Sequence, residues 1–365
     1  MKPLSELVRQ HLRGLHPYIP GDQPDDAGWI KLNTNELPYS PPAEVSEAIT
    51  AEIEKLQRYP NPRSQSLRDA VAGFHGLSPQ QVIIGNGSDD VLNLLARAFG
   101  GKEHNTVESF PSYSLYPVVT AIAGGKIQSI PFGDDFSLPV QKLLDSAADL
   151  LFITCPNAPS GVRFPLEALR ALAAGNQGIL VIDEAYAEFA DDTALSLLDE
   201  FSNTVITRTF SKAYGLAGLR VGYALAAAEI IRILDCIRDS YNVNRLSQAG
   251  AIAALKAHSI YGSHILEIRQ TREWVRSSLL EFGWKVYPSE ANFLFAAPVR
   301  DADGEMGLAT ATSLFNWLLD HKILVRHFPK HPLTAPFLRI SIGTKSEMET
   351  FINEVRKWKT NELPV

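Results

Sequence analysis

The sequence predicts an α/β fold, in which a large domain with a mainly parallel sheet flanked by helices precedes a smaller α/β domain. Short apolar runs alternate with helical patterns over residues 81–222, which is typical of a parallel sheet covered by crossover helices. One β-α-β unit is complete, with a strand at 150–154 (LLFIT), a helix over about 165–174 and a strand at 179–183 (ILVID). At 365 residues the chain has room for one large domain and a smaller one.

The last third of the chain predicts the smaller domain. A helical stretch with few breakers covers about residues 228–258 and could join two domains. After it EWVRSSLLEF reads as a helix, and WKVY, NFLFAA, ILVRHF and FLRISIG read as strands. In the final helix Ser346 and Glu349 have the spacing of a capping box. We therefore divide the chain into an N-terminal arm over 1–30, a large domain over 31–258 and a small domain over 259–365.

Composition narrows the classes of partner. Acidic residues outnumber basic ones by 41 to 34, and the formal net charge of −7 makes nucleic acid and anionic membranes unexpected partners. Cys155 and Cys236 are not spaced like a metal knuckle or a disulfide framework, so we expect no metal site and a reducing compartment. No run of eighteen uncharged apolar residues occurs, and the N-terminus does not read as a signal peptide. We expect a soluble, cytoplasmic protein.

Asp183 and Tyr186 lie at the end of one predicted strand. The strand is apolar at every position before Asp183, so the carboxylate should emerge at the carboxyl edge of the sheet, where ligands bind in open α/β folds. A partly buried carboxylate there needs a partner, and we expect a cation. A helix cap or a structural ion pair would also explain Asp183, and Tyr186 taken alone reads as a core tyrosine.

A glycine-containing turn lies in the segment GNGSDDVLNLLARAF. Gly87 lets the backbone approach a ligand, and the free N–H groups of a helix capped by Ser88 or Asp89 favour a phosphate. The turn half-resembles a dinucleotide-binding fingerprint, but Asp90 stands where that pattern needs a third glycine or alanine. A phosphate site and an ordinary tight turn are both compatible with this segment.

The segment TFSKAYGLAGLRVGYA places Lys212 in a turn of small residues. A single lysine in a turn is ordinarily a solvated surface charge. Here Ser211 and Arg220 add donors suited to an anion, and a partly desolvated, cation-rich site lowers the pKa of a lysine that forms a Schiff base. Pyridoxal phosphate needs these parts: a lysine for its aldehyde, an anion cradle, and a carboxylate such as Asp183 opposite the pyridine nitrogen. Asn157 and Tyr186 could hydrogen-bond the 3′ oxygen of its ring.

With these motifs in order, the chain resembles the fold-type-I pyridoxal-phosphate aminotransferases, and most of all the histidinol-phosphate aminotransferases. The resemblance covers nearly the whole chain, through LHPYIPG, KLNTNELPYSPP, RYPNP, GNGSDD, PSYSLY, PNAPSG, VIDEAY, TFSKAYGLAGLRVG, SEANF, ILVRHF and LRISIG. It implies transamination of L-histidinol phosphate with 2-oxoglutarate, which gives imidazole acetol phosphate and glutamate in histidine biosynthesis. It also implies pyridoxal 5′-phosphate as cofactor and a homodimer with shared active sites.

The resemblance implies roles for individual residues. Lys212 would be the Schiff-base lysine, Asp183 the partner of the pyridine nitrogen and Tyr186 the third catalytic residue. Tyr113 would stack on the ring, and Tyr59 would reach the cofactor phosphate from the other subunit. The remaining cofactor-binding residues would be Gly87, Ser88, Asp89, Asn157, Ser211 and Arg220. The residues that close the substrate pocket would be Tyr18, Asn35, Arg326 and Arg339, with both arginines on the substrate's phosphate.

The chain departs from the family pattern at two motifs. Family members commonly read Asn-Glu-Asn-Pro where this chain has NELP, so Leu37 replaces a polar residue near the pocket. The loop NAPSG differs from the commoner Asn-Asn-Pro-Thr-Gly but keeps Asn157. Aromatic amino-acid aminotransferases and phospho-amino-acid decarboxylases share the cofactor shell and stay as alternatives. Two non-enzyme alternatives fit the sequence less well. A regulator built on this scaffold should carry an additional basic DNA-binding domain, which the sequence does not indicate. A dinucleotide-binding module would give Lys212 no role.

Overall fold

A computed structural model describes residues 3–18, 20–24, 27–300 and 304–360. The predicted N-terminal arm and the C-terminus therefore lie partly outside the described residues. In chain order the described strands are β1 (Ile30–Lys31), β2 (Val82–Gly85), β3 (Thr106–Phe110), β4 (Ile127–Pro131), β5 (Leu150–Thr154), β6 (Ile179–Asp183), β7 (Thr204–Thr209), β8 (Gly222–Ala226), β9 (Lys285–Val286), β10 (Phe293–Ala297), β11 (Ile323–Leu324), β12 (Arg326–His327) and β13 (Leu338–Ser341).

The large sheet confirms the predicted α/β class. Its seven strands run in the order β2-β8-β7-β6-β5-β3-β4, and only β8 is antiparallel to its neighbours. Successive side chains of a strand point to opposite faces, and both faces of this sheet are covered. Ile182 and Ile206 belong to one buried apolar cluster, while Val181 and Val205 belong to the other. Strands such as β6 are therefore apolar at nearly every position, as the sequence predicted.

Helices cover this sheet and also pack on the smaller one. The described α-helices are α1 (Leu4–Leu7), α2 (Ala43–Thr50), α3 (Gln65–His75), α4 (Ser88–Phe99), α5 (Leu115–Ile122), α6 (Val140–Asp145), α7 (Leu166–Gly175), α8 (Leu197–Glu200), α9 (Ala228–Ile237), α10 (Arg245–Lys256), α11 (His258–Glu281), α12 (Leu308–Asp320) and α13 (Lys345–Thr360). No helix in the described ranges is both long and apolar enough to span a bilayer.

The long helix predicted over 228–258 is wrong, because the chain turns between α9 and α10. The Asn242 side chain donates to the Ile84 carbonyl and to the Asp90 carboxylate, each at 3.0 Å, which ties the turn to β2 and α4. Asn244 then caps α10 by accepting from the Ser247 N–H at 2.9 Å. The long helix is instead α11, with 24 residues, which packs against β9, β10 and α13.

The smaller sheet is antiparallel, with the order β12-β13-β10-β9. The short strand β1 pairs in parallel with β11, so the chain after the N-terminal arm hydrogen-bonds to the C-terminal region. The predicted capping box is wrong by two residues: Thr344 and Glu347 form it, because the helix already begins at Lys345. The Thr344 N–H donates to Glu347 Oε2 at 2.7 Å, and the Glu347 N–H donates to Thr344 Oγ1 at 3.3 Å.

Candidate active site

A cavity of about 660 Å³ opens at the carboxyl edge of the large sheet and reaches β12 and β13 of the smaller one. This is the edge at which open α/β sheets bind ligands. The cavity brings together twelve of the predicted site residues: Tyr18, Asn35, Ser88, Asp89, Tyr113, Asp183, Tyr186, Ser211, Lys212, Arg220, Arg326 and Arg339. The other three, Gly87, Asn157 and Tyr59, are not among the lining residues.

Asp183 lies at the floor of the cavity and is only 3% exposed. The prediction of a cationic partner is wrong, since Asp183 forms no ion pair within the described ranges. Hydroxyls take that place: Tyr116 donates to Oδ2 at 2.9 Å and Thr207 donates to Oδ1 at 3.1 Å. Burial raises the pKa of Asp183 to about 6, and the two hydroxyls oppose that shift. Neutral hydroxyls therefore hold the carboxylate, which can still accept a hydrogen bond from a charged donor.

Lys212 projects from the turn after β7 into the same cavity. Its Nζ donates to the Thr34 carbonyl at 2.8 Å and lies 5.9 Å from the centre of the Tyr186 ring. Burial, followed by the nearby charge of Arg339, lowers the pKa of Lys212 to about 8. A larger share of this amine is therefore neutral near pH 7 than for an exposed lysine, which is the state required of a nucleophile or a base.

An anion cradle forms where α4 begins and the lysine turn ends. Gly87, with φ +85°, precedes the first turn of α4, and a Cβ on it would lie 2.6 Å from Arg220 Nη2. Arg220 itself has φ +52°, a conformation that non-glycine residues seldom adopt outside functional sites, and its Nη1 lies 3.4 Å from Ser211 Oγ. Gly222 lets β8 pass under α4, since a Cβ there would meet Ser88 N at 2.2 Å.

Neither Ser88 nor Asp89 caps α4, contrary to the prediction, because Gly87 occupies the N-cap position. The N–H groups of the first turn therefore stay open to a ligand. Asp89 instead accepts from Arg220 Nη2 at 3.2 Å and from the Tyr113 hydroxyl at 3.0 Å. It thereby fixes the guanidinium on one side and the ring of Tyr113 on the other.

Two predicted cofactor-binding side chains, those of Asn157 and Tyr59, do not line the cavity of the single chain. Asn157 is fully buried, and its amide oxygen accepts from the N–H and hydroxyl of Ser160, at 3.2 and 2.7 Å. Tyr59 is 78% exposed and stacks on Tyr241, with ring centres 4.6 Å apart. Their roles at the 3′ oxygen and at the phosphate of a neighbouring subunit stay predictions.

Arg326 and Arg339 face each other across β12 and β13, where they are paired in the antiparallel register. Arg326 Nη1 donates to the Pro20 carbonyl at 3.2 Å, and Arg339 Nη2 donates to the Asn33 carbonyl at 2.9 Å. The Nε of Arg339 is buried without a hydrogen-bond partner among the described residues. Burial lowers the pKa of Arg339. Two adjacent guanidiniums with a buried unused donor suit a multiply charged anion.

Asn35 joins the cofactor side of the cavity to the substrate side. Its side-chain amide donates to the Tyr186 hydroxyl at 3.0 Å, and its Oδ1 accepts from the Ser341 hydroxyl at 2.9 Å. The Asn35 backbone, with φ +57°, receives a bond from the Asn292 side chain at 3.0 Å. Leu37, the departure from the family pattern, is 8% exposed and contacts the Gly215 turn rather than lining the cavity.

Several lining or supporting residues were missed from the sequence. Tyr116 and Thr207 hold Asp183, and the sequence signal for Tyr116 is limited to its position three residues after Tyr113, in the first turn of α5. Lys330 and His331 also line the cavity, and His331 packs edge-on against Phe110 with ring centres 4.8 Å apart. Their segment, FPKHPLTAP, is an irregular loop whose path no periodicity reveals.

The donor set fits pyridoxal phosphate. Arg220, Ser211 and the open start of α4 offer donors to a phosphate, and a side chain at Gly87 would enter that space. A protonated ring nitrogen requires a carboxylate as its partner. Asp183 offers one that is buried and has no charged partner within the described ranges. Lys212 offers an amine with a lowered pKa for the aldehyde.

The family model for aminotransferases of class I and II matches residues 27–355. Histidinol-phosphate aminotransferase from Geobacter sulfurreducens is 43% identical over 357 residues, which cover 96% of this chain and 98% of that one. The enzyme of that name from Microcystis aeruginosa is 40% identical and covers 98% and 99%.

Among solved structures, histidinol-phosphate aminotransferase from Sinorhizobium meliloti, in complex with pyridoxal 5′-phosphate, superimposes with a TM-score of 0.83 at 29% identity, covering 90% of each chain. This agreement confirms the fold-type-I architecture. L-threonine-O-3-phosphate decarboxylase from Porphyromonas gingivalis shares the fold alone, at 20% identity and a TM-score of 0.75. The chain therefore belongs to the class I and II aminotransferases and, within them, to the histidinol-phosphate aminotransferase family.

Proposed function

We propose that this protein transfers the amino group of L-histidinol phosphate to 2-oxoglutarate, with pyridoxal 5′-phosphate as cofactor. One observation carries the choice of substrate: the paired guanidiniums of Arg326 and Arg339 line the same cavity as Lys212 and Asp183. The names of the relatives at 40–43% identity support the same substrate. The products are imidazole acetol phosphate and glutamate, a step of histidine biosynthesis.

The cofactor end of the cavity has the residues that the reaction needs. Bound pyridoxal phosphate supplies an electron-accepting ring that makes the proton on the substrate's Cα acidic. Asp183 would balance the positive charge of the ring nitrogen, and Arg220, Ser211 and the N-terminus of α4 would hold the phosphate. Tyr113, whose hydroxyl donates to Asp89, would cover one face of the ring.

Lys212 acts as the base. Its Nζ takes the proton from the substrate's Cα and is well matched to this task because its pKa of about 8 is close to the operating pH. The Thr34 carbonyl accepts a hydrogen bond from Nζ and limits where the amine can move. Tyr186 lines the cavity beside Lys212, and its hydroxyl accepts a hydrogen bond from the Asn35 side chain.

The substrate end selects for a phosphate. Histidinol phosphate has no α-carboxylate, so both arginines are available for its phosphate, whereas an ordinary amino acid needs a cation for its carboxylate. Guanidiniums bind phosphate oxygens through paired, charge-assisted hydrogen bonds. Of the acidic side chains in the described part of the cavity, Asp89 and Asp183 both lie at the cofactor end. Within the described ranges, the cavity wall beside the arginines therefore carries no carboxylate that would repel a dianion.

Steady-state kinetics test this proposal. Purified protein with added pyridoxal phosphate is given 2-oxoglutarate and either L-histidinol phosphate, L-histidinol, L-phenylalanine or O-phospho-L-threonine, and glutamate is measured. We expect glutamate from histidinol phosphate with the highest kcat/KM. Preference for phenylalanine would indicate an aromatic amino-acid aminotransferase, and release of CO₂ from phosphothreonine a decarboxylase; either result would overturn the proposal.

We also propose that the protein acts as a homodimer in which Tyr59 reaches the cofactor phosphate of the partner. Apolar side chains near Tyr59 are exposed, namely Ile53 at 50% and Leu56 at 55%, while Tyr241, stacked on Tyr59, is 41% exposed. Exposed apolar side chains in one region support the proposal of an interaction surface there. We also propose the division of the chain into an arm over 1–30 and domains over 31–258 and 259–365. The two cysteines form no disulfide, which supports a reducing compartment such as the cytoplasm.

Mixed dimers test the shared site. Lys212→Ala and Tyr59→Ala homodimers should each be impaired, because every site carries one lesion. When the two variants are mixed and allowed to exchange subunits, one site of each mixed dimer carries both lesions and the other carries none. We expect activity to rise on mixing. No rise, with exchange verified by a tag on one variant, would mean that Tyr59 serves its own subunit or neither.

A further inference from the structure

Three hydroxyls form a chain that ends at Asp183. Ser112 Oγ lies 3.0 Å from Thr154 Oγ1, Thr154 Oγ1 lies 2.5 Å from the Tyr116 hydroxyl, and Tyr116 donates to Asp183 Oδ2 at 2.9 Å. Ser112 and Thr154 line the cavity, whereas Tyr116 is fully buried behind it. Thr207 donates separately to the other carboxylate oxygen.

The direction of every proton in this chain follows from counting donors. A hydroxyl has one proton to donate, and Tyr116 gives its proton to the carboxylate. Thr154 must therefore donate to Tyr116, and Ser112 must donate to Thr154. All three dipoles point toward Asp183, and hydrogen bonds aligned in this way strengthen one another in a medium of low dielectric constant.

Packing holds the Tyr116 ring in place independently of its hydroxyl. The ring stacks on Phe152, with centres 4.6 Å apart and planes 7° apart, and meets the edge of Tyr113 at 5.7 Å. Tyr113 is the residue that we expect on the cofactor ring. The segment before α5 thus presents Tyr113 to one side of the site, and the first turn of that helix presents Tyr116 to the carboxylate below it.

We propose that Tyr116 is the positioning residue for Asp183, and that the Ser112–Thr154–Tyr116 hydroxyl chain keeps this carboxylate ionised and aimed at the pyridine nitrogen. The inference rests on the proposed placement of that nitrogen at Asp183. Tyr116 acts only through Asp183, because it does not line the cavity. The buried carboxylate has no cation of its own within the described ranges, so these donors favour its charged form before the cofactor arrives.

Cofactor affinity tests this inference without any turnover. The dissociation constants of the full-length apoprotein for pyridoxal phosphate and for its deaza analogue, which has carbon in place of the ring nitrogen, are measured by equilibrium dialysis. Tyr116→Phe removes only the hydroxyl. Loss of a hydrogen bond to a charged group should weaken binding of pyridoxal phosphate about tenfold and leave binding of the deaza analogue within about twofold.

Tyr261→Phe is the matched control, since Tyr261 is equally buried and its hydroxyl has no hydrogen-bond partner among the described residues. We expect this control to bind both ligands as wild type does. Thr154→Val and Thr154→Ser provide a second pair if Tyr116→Phe folds poorly: the serine variant should keep the affinity for pyridoxal phosphate and the valine variant should lose part of it.

Each outcome decides between distinct accounts. Equal losses for both ligands in Tyr116→Phe, or no loss for either, would overturn the positioning role. If wild type itself does not prefer pyridoxal phosphate over the deaza analogue, the placement of the nitrogen at Asp183 is wrong, and the inference falls with it. Neither result depends on histidinol phosphate, so failure of the proposed substrate is recognised separately.

Discussion

The two ends of the cavity are built in different ways. At the cofactor end, Asp183 ends β6, Ser88 begins α4 and Lys212 follows β7 by three residues. A hydroxyl behind the sheet, that of Tyr116, donates to Asp183, and Lys212 donates to the Thr34 carbonyl of the N-terminal region. At the substrate end, Arg326 and Arg339 come from short antiparallel strands and donate to carbonyls of the N-terminal region, at Pro20 and Asn33.

This structural difference predicts that cofactor binding and substrate binding depend on different residues. The cofactor end depends on strand ends and one helix start, which a rigid sheet fixes. The substrate end depends on segments distant in sequence, including Tyr18 and the loop that carries His331. Changes at one end should therefore alter cofactor affinity, and changes at the other should alter substrate affinity, with little crossover except at Asn35, which contacts both ends. Arg339→Gln and Gly87→Ala test this separation directly, and two variants of Lys212 test the amine at the cofactor end.

Lys212→Ala should have the largest effect. Removing the base and the amine that engages the aldehyde should lower the single-turnover rate of transamination by about a thousandfold or more. The measurement is single-turnover conversion of histidinol phosphate with excess enzyme, and circular dichroism verifies that the variant is folded. Retention of more than a tenth of the activity would contradict the role of Lys212.

Arg339→Gln should act mainly on substrate binding, although it also removes one of the charges that lower the pKa of Lys212. Loss of a charge-assisted contact with the phosphate should raise KM for histidinol phosphate by about a hundredfold, because such bonds are among the stronger ones in proteins. The affinity for pyridoxal phosphate should stay unchanged, as measured by equilibrium dialysis. A parallel loss of cofactor affinity would break the separation between the two ends.

Lys212→Met tests the energetic consequence of burying an amine in the apoprotein. The folded pKa of about 8 lies below the ordinary 10.5, so between these values the unfolded chain holds a proton that the folded chain has released. Wild-type stability should rise with pH through this window, and the variant should lack that rise. At pH 7 the variant should be more stable by about 1–3 kcal/mol, as measured by urea unfolding. A constant difference from pH 7 to pH 10.5 would argue against an amine with a lowered pKa.

Gly87→Ala should have a smaller effect, confined to the cofactor end. The new Cβ would meet Arg220 Nη2 at 2.6 Å and displace the guanidinium, so the dissociation constant for pyridoxal phosphate should rise by about tenfold. Gly76→Ala is the matched control, since Gly76 also has positive φ but no atom lies within 4 Å of its Cβ position. Both variants should lose stability through backbone strain. An equal affinity loss in both would exclude the displacement of Arg220.

The sequence predicted the cofactor end better than its surroundings. The apolar strand before Asp183 and the small residues around Lys212 reveal their positions because a strand end and a tight turn are local features. The hydroxyls of Tyr116 and Thr207, which replace the expected cation, could not be predicted, since they come from other elements that meet only in the folded sheet. The break before α10 was missed because the Asn242 bonds to β2 and α4 are long-range.

The central claim is that the cavity joins a pyridoxal-phosphate site to a site for a substrate phosphate. The most direct test compares kcat/KM for L-histidinol phosphate and L-histidinol, which differ only in the phosphate, in wild type and Arg339→Gln. We expect wild type to prefer the phosphate ester by at least about a hundredfold and the variant to lose most of that preference. Equal kcat/KM values for the two substrates in wild type would contradict the claim.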